Sequence, residues 1–300
     1  MKKSVDFIIV SYNKIDYARL CVESINRYWK SVEHTVYIVV NYVDKEIEMK
    51  AHYDLFGKQE NIVILEGEDQ SSTTIVGKDG EFMQHTTRVG LVDQCEIASG
   101  SWYGAWATNT GIKRGNREYV CVLDQDTVFL DSYVTELIKL LDEYKFIGNR
   151  WCPGSIFKKS IQKGTCDGSW EDGIVRPMLF LCKRELYNEI ELEKYVEKDI
   201  WRSSPWNCDY RDMTGNMTWY AKQKGYNWLV LKNSYRDGIQ NDGLHRNYND
   251  LWKEHLLDIP YGEQAWLDDT PIFFHATRGG YRGNTALNLW VREVEKYFNV

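Results

Sequence analysis

The chain contains no run of about 18 apolar residues, so no segment reads as a membrane-spanning helix. It has no basic surplus either: 37 Lys and Arg stand against 44 Asp and Glu. The resulting net charge of −7 argues against a nucleic-acid binder, which carries a basic stripe. Its seven cysteines never approach a C-x-x-C spacing, which excludes a zinc framework and points to reduced thiols in a cytoplasmic protein. The loop after the first apolar run, SYNKID, lacks the Gly-x-Gly-x-x-Gly that lets a dinucleotide pyrophosphate approach the backbone. A sugar nucleotidyltransferase would want a Gly-rich, basic loop at the same place. The opening MKKSVDFIIVSYN is basic, but its apolar stretch is too short for a signal peptide.

What is present suits one continuous α/β domain. With 300 residues and 43% hydrophobic content, a substantial core can be buried. The β-branched run Val5–Val10 predicts a buried strand, and Tyr17, Leu20, Cys21, Ile25 and Tyr28 recur at helical spacing behind it. Further strands are expected at Val36–Val40 and Ile62–Leu65, and this alternation implies a parallel sheet with helices on both faces. Residues 66–100 break the rhythm, with a turn at Lys78-Asp79-Gly80 predicting a hairpin excursion. A helix over 102–114 closed by a Gly115 cap, a strand at Tyr119–Leu123 and a helix over Ser132–Tyr144 capped by Asp131 or Ser132 follow. Later elements are strands at Met178–Cys182 and Trp228–Leu231, a helix over 212–224 stopped by Gly225, and a last helix capped by Asn284 with Leu287, Val291, Val294 and Phe298 on one face.

The strand YVCVLD runs directly into Asp124-Gln125-Asp126. If the chain stays extended, residues i and i+2 share a side, so the two carboxylates converge where the strand leaves the sheet. Open α/β sheets bind ligands at that end. Two neighbouring carboxylates repel unless a cation lies between them, and a hard divalent ion is the natural partner. The bland alternative is a polar turn with Asp126 as its cap.

Three stretches, FIIVSYN, SWYGAWATNTGIKRGNREYVCVLDQDT and DMTGNMTWYAKQKGYNWLVL, resemble the GT-A fold, family-2-like nucleotide-sugar glycosyltransferases over about residues 5–240. Here Asn109-Thr110-Gly111 precedes the strand and Asp124-Gln125-Asp126 ends it, in the family's order. The resemblance implies a Rossmann-like, mostly parallel sheet with a helical C-terminal extension. Residues 1–240 would form the transferase domain (1–130 the nucleotide-sugar half, 131–240 the acceptor half), and 241–300 would carry a metal and diphosphate loop and the terminal helix. It implies that Asp126 binds Mn²⁺ or Mg²⁺ and that Asp124 faces the ribose or a metal-bound water. Ser11, Tyr12, Asn13 and Asn109 would line the nucleotide-sugar site, with Asn41 standing where the family carries an acid. Asp212, or else Asp209, would be the general base on the acceptor. His275, or else His245, would complete the metal shell, with Arg278 and Arg282 on the diphosphate.

The implied activity is inverting transfer of a hexosyl or deoxyhexosyl group from a UDP, GDP or dTDP sugar to a glycan, lipid-linked or protein acceptor, as in polysaccharide biosynthesis. A peripheral membrane contact is compatible with such an acceptor. Two rivals stay open. Asp124-Gln125-Asp126-Thr127-Val128 also spells the signature of haloacid-dehalogenase-type phosphatases, with Asp124 as a covalent nucleophile, although that family opens its sheet with the signature. The other is a non-catalytic carbohydrate-binding protein on the same fold.

Overall fold

The computed structural model describes residues 3–70, 74–76, 82–84, 104, 106–150, 175–190, 221, 224–235, 255–259, 262–276 and 283–299. The first half alternates as the periodicity demands. Strand β1 (Ser4–Tyr12) leads to α1 (Ile15–Tyr28), β2 (Glu33–Tyr42), α2 (Lys45–Phe56) and β3 (Ile62–Asp69). The hairpin follows as β4 (Thr74–Val76) against β5 (Phe82–Gln84), antiparallel and separate from the main sheet. A helix over 106–114, α3, precedes β6 (Tyr119–Asp124) and β7 (Thr127–Phe129). Then come α4 (Leu137–Leu140), β8 (Phe146–Arg150), β9 (Val175–Lys183), α5 (Arg184–Ile190), β10 (Trp228–Tyr235), β11 (Gly262–Leu267), β12 (Thr270–Ala276) and α6 (Asn284–Phe298).

Ten strands form one sheet in the order β3-β2-β1-β6-β9-β8-β10-β11-β12-β7. The expectation of a mostly parallel sheet holds for β3-β2-β1-β6 and gives way beyond it. There β8 and β10 are parallel, but β9 lies antiparallel to β6 and β8, and β10-β11-β12-β7 is antiparallel throughout. The stretch expected as a C-terminal extension thus supplies two strands to the same sheet. One topological fact governs the site. Strands β6 and β7 sit far apart in the strand order, yet only Gln125 and Asp126 separate them in sequence. The sheet must therefore curl back so that its far edge, β12-β7, returns to the end of β6.

Apolar side chains cover both faces. On one, Ala18, Cys21, Val22 and Ile25 of α1 pack on Phe7, Ile9, Ile38 and Cys121. Phe7, Trp29 and Phe129 meet edge to face at centroid distances of 5.1–6.1 Å, so truncating Phe7 should cost about 3–5 kcal/mol. On the other face, Ile112 of α3 and Leu186 and Tyr187 of α5 cover Ile8, Val120 and Val122. Helix α6 lays Trp290, Val294 and Phe298 against Tyr17 and Leu20 of α1 and Phe274 of β12, with Leu287 and Val291 at the margin, as its stripe predicts.

Two local expectations change. Gly115 does not act as a left-handed cap; the described glycine with positive φ is Gly225, at 68°. A Cβ on Gly115 would lie 2.3 Å from Asp6 Oδ2, so the position serves close approach of a buried carboxylate. The helix expected over Ser132–Tyr144 is instead a 3-10 stretch, Ser132–Glu136, followed by the single turn α4. The β-branched pair Val134-Thr135 sits in the 3-10 part, and Asp131 is its cap, accepting the Tyr133 N–H at 2.7 Å.

Candidate metal and nucleotide-sugar site

Strand β1 has β2 and β3 on one side and β6 on the other, so the chain order reverses between β1 and β6. The carboxyl ends of these two strands are where an open α/β sheet leaves a crevice for ligand. In register, Val10 stands opposite Asp124, and the two chains then diverge. Gln125, the middle residue of the acidic motif, holds them together. Its Oε1 accepts the Tyr12 N–H at 3.0 Å and its Nε2 donates to the Tyr12 carbonyl at 2.8 Å. The side chain imitates a strand neighbour and satisfies both backbone groups of Tyr12.

This clamp shapes the motif. Rather than remaining extended, the chain turns at Gln125 and Asp126 between β6 and β7. The carboxylates still converge, for a tertiary reason. Strand β12 pairs antiparallel with β7, with His275 opposite Thr127, and the Ala276 N–H donates to the Asp126 carbonyl at 2.9 Å. His275 Nε2 thereby lies 3.3 Å from Asp126 Oδ1 and 3.7 Å from Asp124 Oδ2. One ligand atom from each of the three residues falls within 4.8 Å of the others. Asp126 and His275 are buried, whereas the Asp124 side chain is 43% exposed, so the cluster is walled on one side and open on the other.

Two carboxylate oxygens and one imidazole nitrogen fit Mn²⁺ well and Mg²⁺ acceptably. Burial alone would push the His275 pKa down, but Asp126, Glu263 and Asp124 together carry it up to about 10. In the metal-free protein the ring holds a proton where a metal would bind. Burial pushes up the pKa of the Cys21 thiol, and Asp126 and Asp124 push it the same way; its Sγ lies 4.0 Å from the Asp124 carbonyl.

Ser11, Tyr12 and Asn13 come to this crevice. Ser11 is fully buried, its hydroxyl set between His52 Nε2 at 2.8 Å and Gln125 Oε1 at 3.2 Å. His52 Nδ1 lies 2.7 Å from the Glu48 carbonyl, which can only accept, so Nδ1 carries a hydrogen. Burial lowers the His52 pKa against the opposing pull of that carbonyl. Asn13 turns the chain with φ of 67°. The Glu48 carboxylate accepts the Val43 N–H at 2.9 Å; burial raises its pKa against the pull of backbone donors at Val43, Asp44 and Asn13. It thus ties the loop after β2 to the loop after β1. Asn41 is buried and accepts the Glu68 N–H through Oδ1 at 2.9 Å, where Gly67 leaves it room. Asn109 is buried on α3 and accepts the Tyr187 hydroxyl at 3.0 Å. Gly111, further along the same helix, brings α3 close to β1, since a Cβ there would meet Ile8 Cγ2 at 2.6 Å.

Asp212, Asp209, His245, Arg278 and Arg282 lie outside the described residues. Three residues absent from the expectations join the site: Gln125, His52 and Glu263. Glu263 is fully buried on β11, directly opposite His275 on β12. No local signal marks it, because GEQAWL sets two polar residues side by side and their burial comes from the pairing of β11 with its neighbours.

No family model matches this chain, and no curated protein matches it by sequence. Solved structures similar to it include several glycosyltransferases. One is the mannosyltransferase PcManGT from Pyrobaculum calidifontis in complex with GDP-Man and Mn²⁺, at 14% identity over 75% of this chain, TM-score 0.41. This chain spans about half of that protein, 54% of its length. The galactosyltransferase LgtC, in complex with donor and acceptor sugar analogs, matches at 12% identity over 83% of this chain and 79% of its own, TM-score 0.48. TarS 1–349 of S. aureus matches at 14% identity over 63% of this chain and 49% of its own, TM-score 0.35. These values describe partial overlap of scaffold.

Proposed function

We propose that this chain is a metal-dependent, inverting glycosyltransferase. It would move a hexosyl or deoxyhexosyl group from a nucleotide-diphosphate sugar to a glycan, lipid-linked or protein acceptor. The observation that carries this reading is the convergence of Asp124, Asp126 and His275 at the sheet's switch point, beside the Gln125 clamp on Tyr12. When bound, Mn²⁺ or Mg²⁺ supplies Lewis-acid neutralisation of the departing diphosphate. Asp126 and His275 hold it from the walled side and Asp124 from the open side. The loops after β1 and β2, joined by Glu48, His52 and Ser11, support the nucleotide, with Asn13 and Asn41 nearest the base and ribose. Asn109 supports the sugar side.

In this reading Asp212 takes the acceptor hydroxyl's proton as that oxygen attacks the anomeric carbon, with Asp209 as the alternative. Arg278 and Arg282 pair with the diphosphate oxygens. A single displacement inverts the anomeric configuration. Among the described residues no helix is long and apolar enough to cross a membrane, so a lipid-linked acceptor would be met at a membrane surface.

The test is a thermal-shift panel of UDP, GDP, dTDP and CDP sugars with and without Mn²⁺, followed by turnover of the stabilising donor. One donor should raise the melting temperature in a Mn²⁺-dependent way. Its product should carry the configuration opposite to the donor's, read from the anomeric proton coupling. Retention overturns the inverting mechanism. A panel with no stabiliser, together with a phospho-aspartyl adduct trapped at Asp124, overturns the transferase in favour of the phosphatase.

A further inference from the structure

The pairing of β11 with β12 sets Glu263 directly across from His275. Glu263 Oε2 faces His275 Nδ1 at 3.6 Å, on the ring edge opposite the one that faces Asp126. A shift of roughly 0.5 Å brings the pair into hydrogen-bond range. Glu263 is itself held from behind. Its Oε1 accepts from Asn149 Nδ2 at 3.0 Å, and Asn149 Oδ1 accepts the Leu179 N–H at 3.3 Å. Both side chains have no solvent exposure. The buried line Leu179 N–H, Asn149, Glu263, His275 therefore has a fixed polarity. Each member's orientation is set by the one before it.

We propose that Glu263 is the positioning residue of the metal site, fixing His275 with Nδ1–H toward the carboxylate and the Nε2 lone pair toward Asp124 and Asp126, and that Asn149 fixes Glu263. This rests on the metal site of the proposed transferase. A carboxylate behind a ligating histidine orients the ring and raises its basicity, and losing such a partner costs about 10–100-fold in metal affinity.

The polarity makes the idea testable by a swap. In Glu263→Gln the amide oxygen is drawn to Asn149 Nδ2, so the NH₂ faces His275 and selects the wrong tautomer. Adding Asn149→Asp reverses this. The new carboxylate accepts both the Leu179 N–H and the glutamine NH₂, freeing the amide oxygen for His275 Nδ1–H. Mn²⁺ affinity, measured by electron paramagnetic resonance of the free ion, should fall about 10–100-fold in Glu263→Gln and return to within about threefold of wild type in the double variant. Wild-type affinity in Glu263→Gln, or a double variant no tighter than the single one, overturns the proposal while leaving the metal site in place. Wild-type protein that binds no Mn²⁺ overturns both. If Glu263→Gln does not fold, the wild type decides alone: in ¹⁵N-histidine-labelled protein loaded with diamagnetic Cd²⁺, long-range proton–nitrogen correlation should show His275 protonated at Nδ1 and ligating through Nε2. The opposite assignment overturns the proposal.

Discussion

A buried acid lies at each end of the paired strands β1 and β6, Asp6 at one and Asp126 at the other, and the two are balanced differently. At the start of β1, Asp6 is fully buried and meets guanidinium groups. Arg184 Nη2 donates to its Oδ2 at 2.6 Å, and the Arg117 N–H donates to the same oxygen at 2.9 Å. Arg184 is anchored in turn by the Arg117 and Ile112 carbonyls at 2.7 and 2.8 Å, and Arg117 by Thr35 and Glu33. At the far end, among the described residues, Asp124, Asp126 and Glu263 share the imidazole of His275 as a charge partner. A guanidinium is a permanent cation with five donors and no lone pair for a metal; an imidazole can hold a proton or give a lone pair. The first cluster is closed by its own chain and joins β1, α3 and α5. The second can exchange its proton for a metal.

The largest expected effect that would break this comparison is at Asp126. Asp126→Ala should lower turnover by about 10³-fold or more, the several kcal/mol a Lewis acid supplies, and remove the Mn²⁺-dependent donor shift while leaving the fold intact. Undiminished turnover in EDTA would contradict the metal assignment. Next is Asp6→Asn, which strips the counter-charge from the partly buried Arg184 and Arg117 guanidiniums and should destabilise the fold by about 1.5–3 kcal/mol in urea unfolding. Mn²⁺ affinity per folded molecule should be unchanged; a weakened metal site in that variant would show the two clusters to be coupled.

A third test sharpens the contrast through pH. The folded pKa of His275, about 10, lies above the ordinary value of about 6.5. A raised pKa contributes stability fully present below about pH 6.5 and lost as the pH climbs through about 10. The melting temperature of metal-free protein should therefore decline across that window, and His275→Gln should flatten the decline. An equal decline in the variant would place the titration elsewhere.

The first half was legible where an element buries its own periodic face, as the β-branched run that became β1 and the Tyr17-to-Tyr28 stripe that became α1 do, and where a turn signal, Lys78-Asp79-Gly80, separates two short strands. Gly115 misled because a glycine after a helix has two physical uses, left-handed φ and close approach, and the letter is the same for both. Gln125 was unreadable as a clamp, since its partner, the Tyr12 backbone, is 113 residues away.

The sequence by itself determined that an apolar strand would deliver two aspartates to the carboxyl edge of an α/β sheet, because hydrophobic period and residue chemistry are local properties. The tertiary structure alone decided that these acids would meet His275 and that Glu263 would stand behind it. That outcome depends on the sheet curling until β12-β7 returns to the end of β6, and on a register that sets residue 275 opposite 127 and 263. Strand order and register follow from the packing of all ten strands at once, and a shift of one residue would have turned His275 to the opposite face.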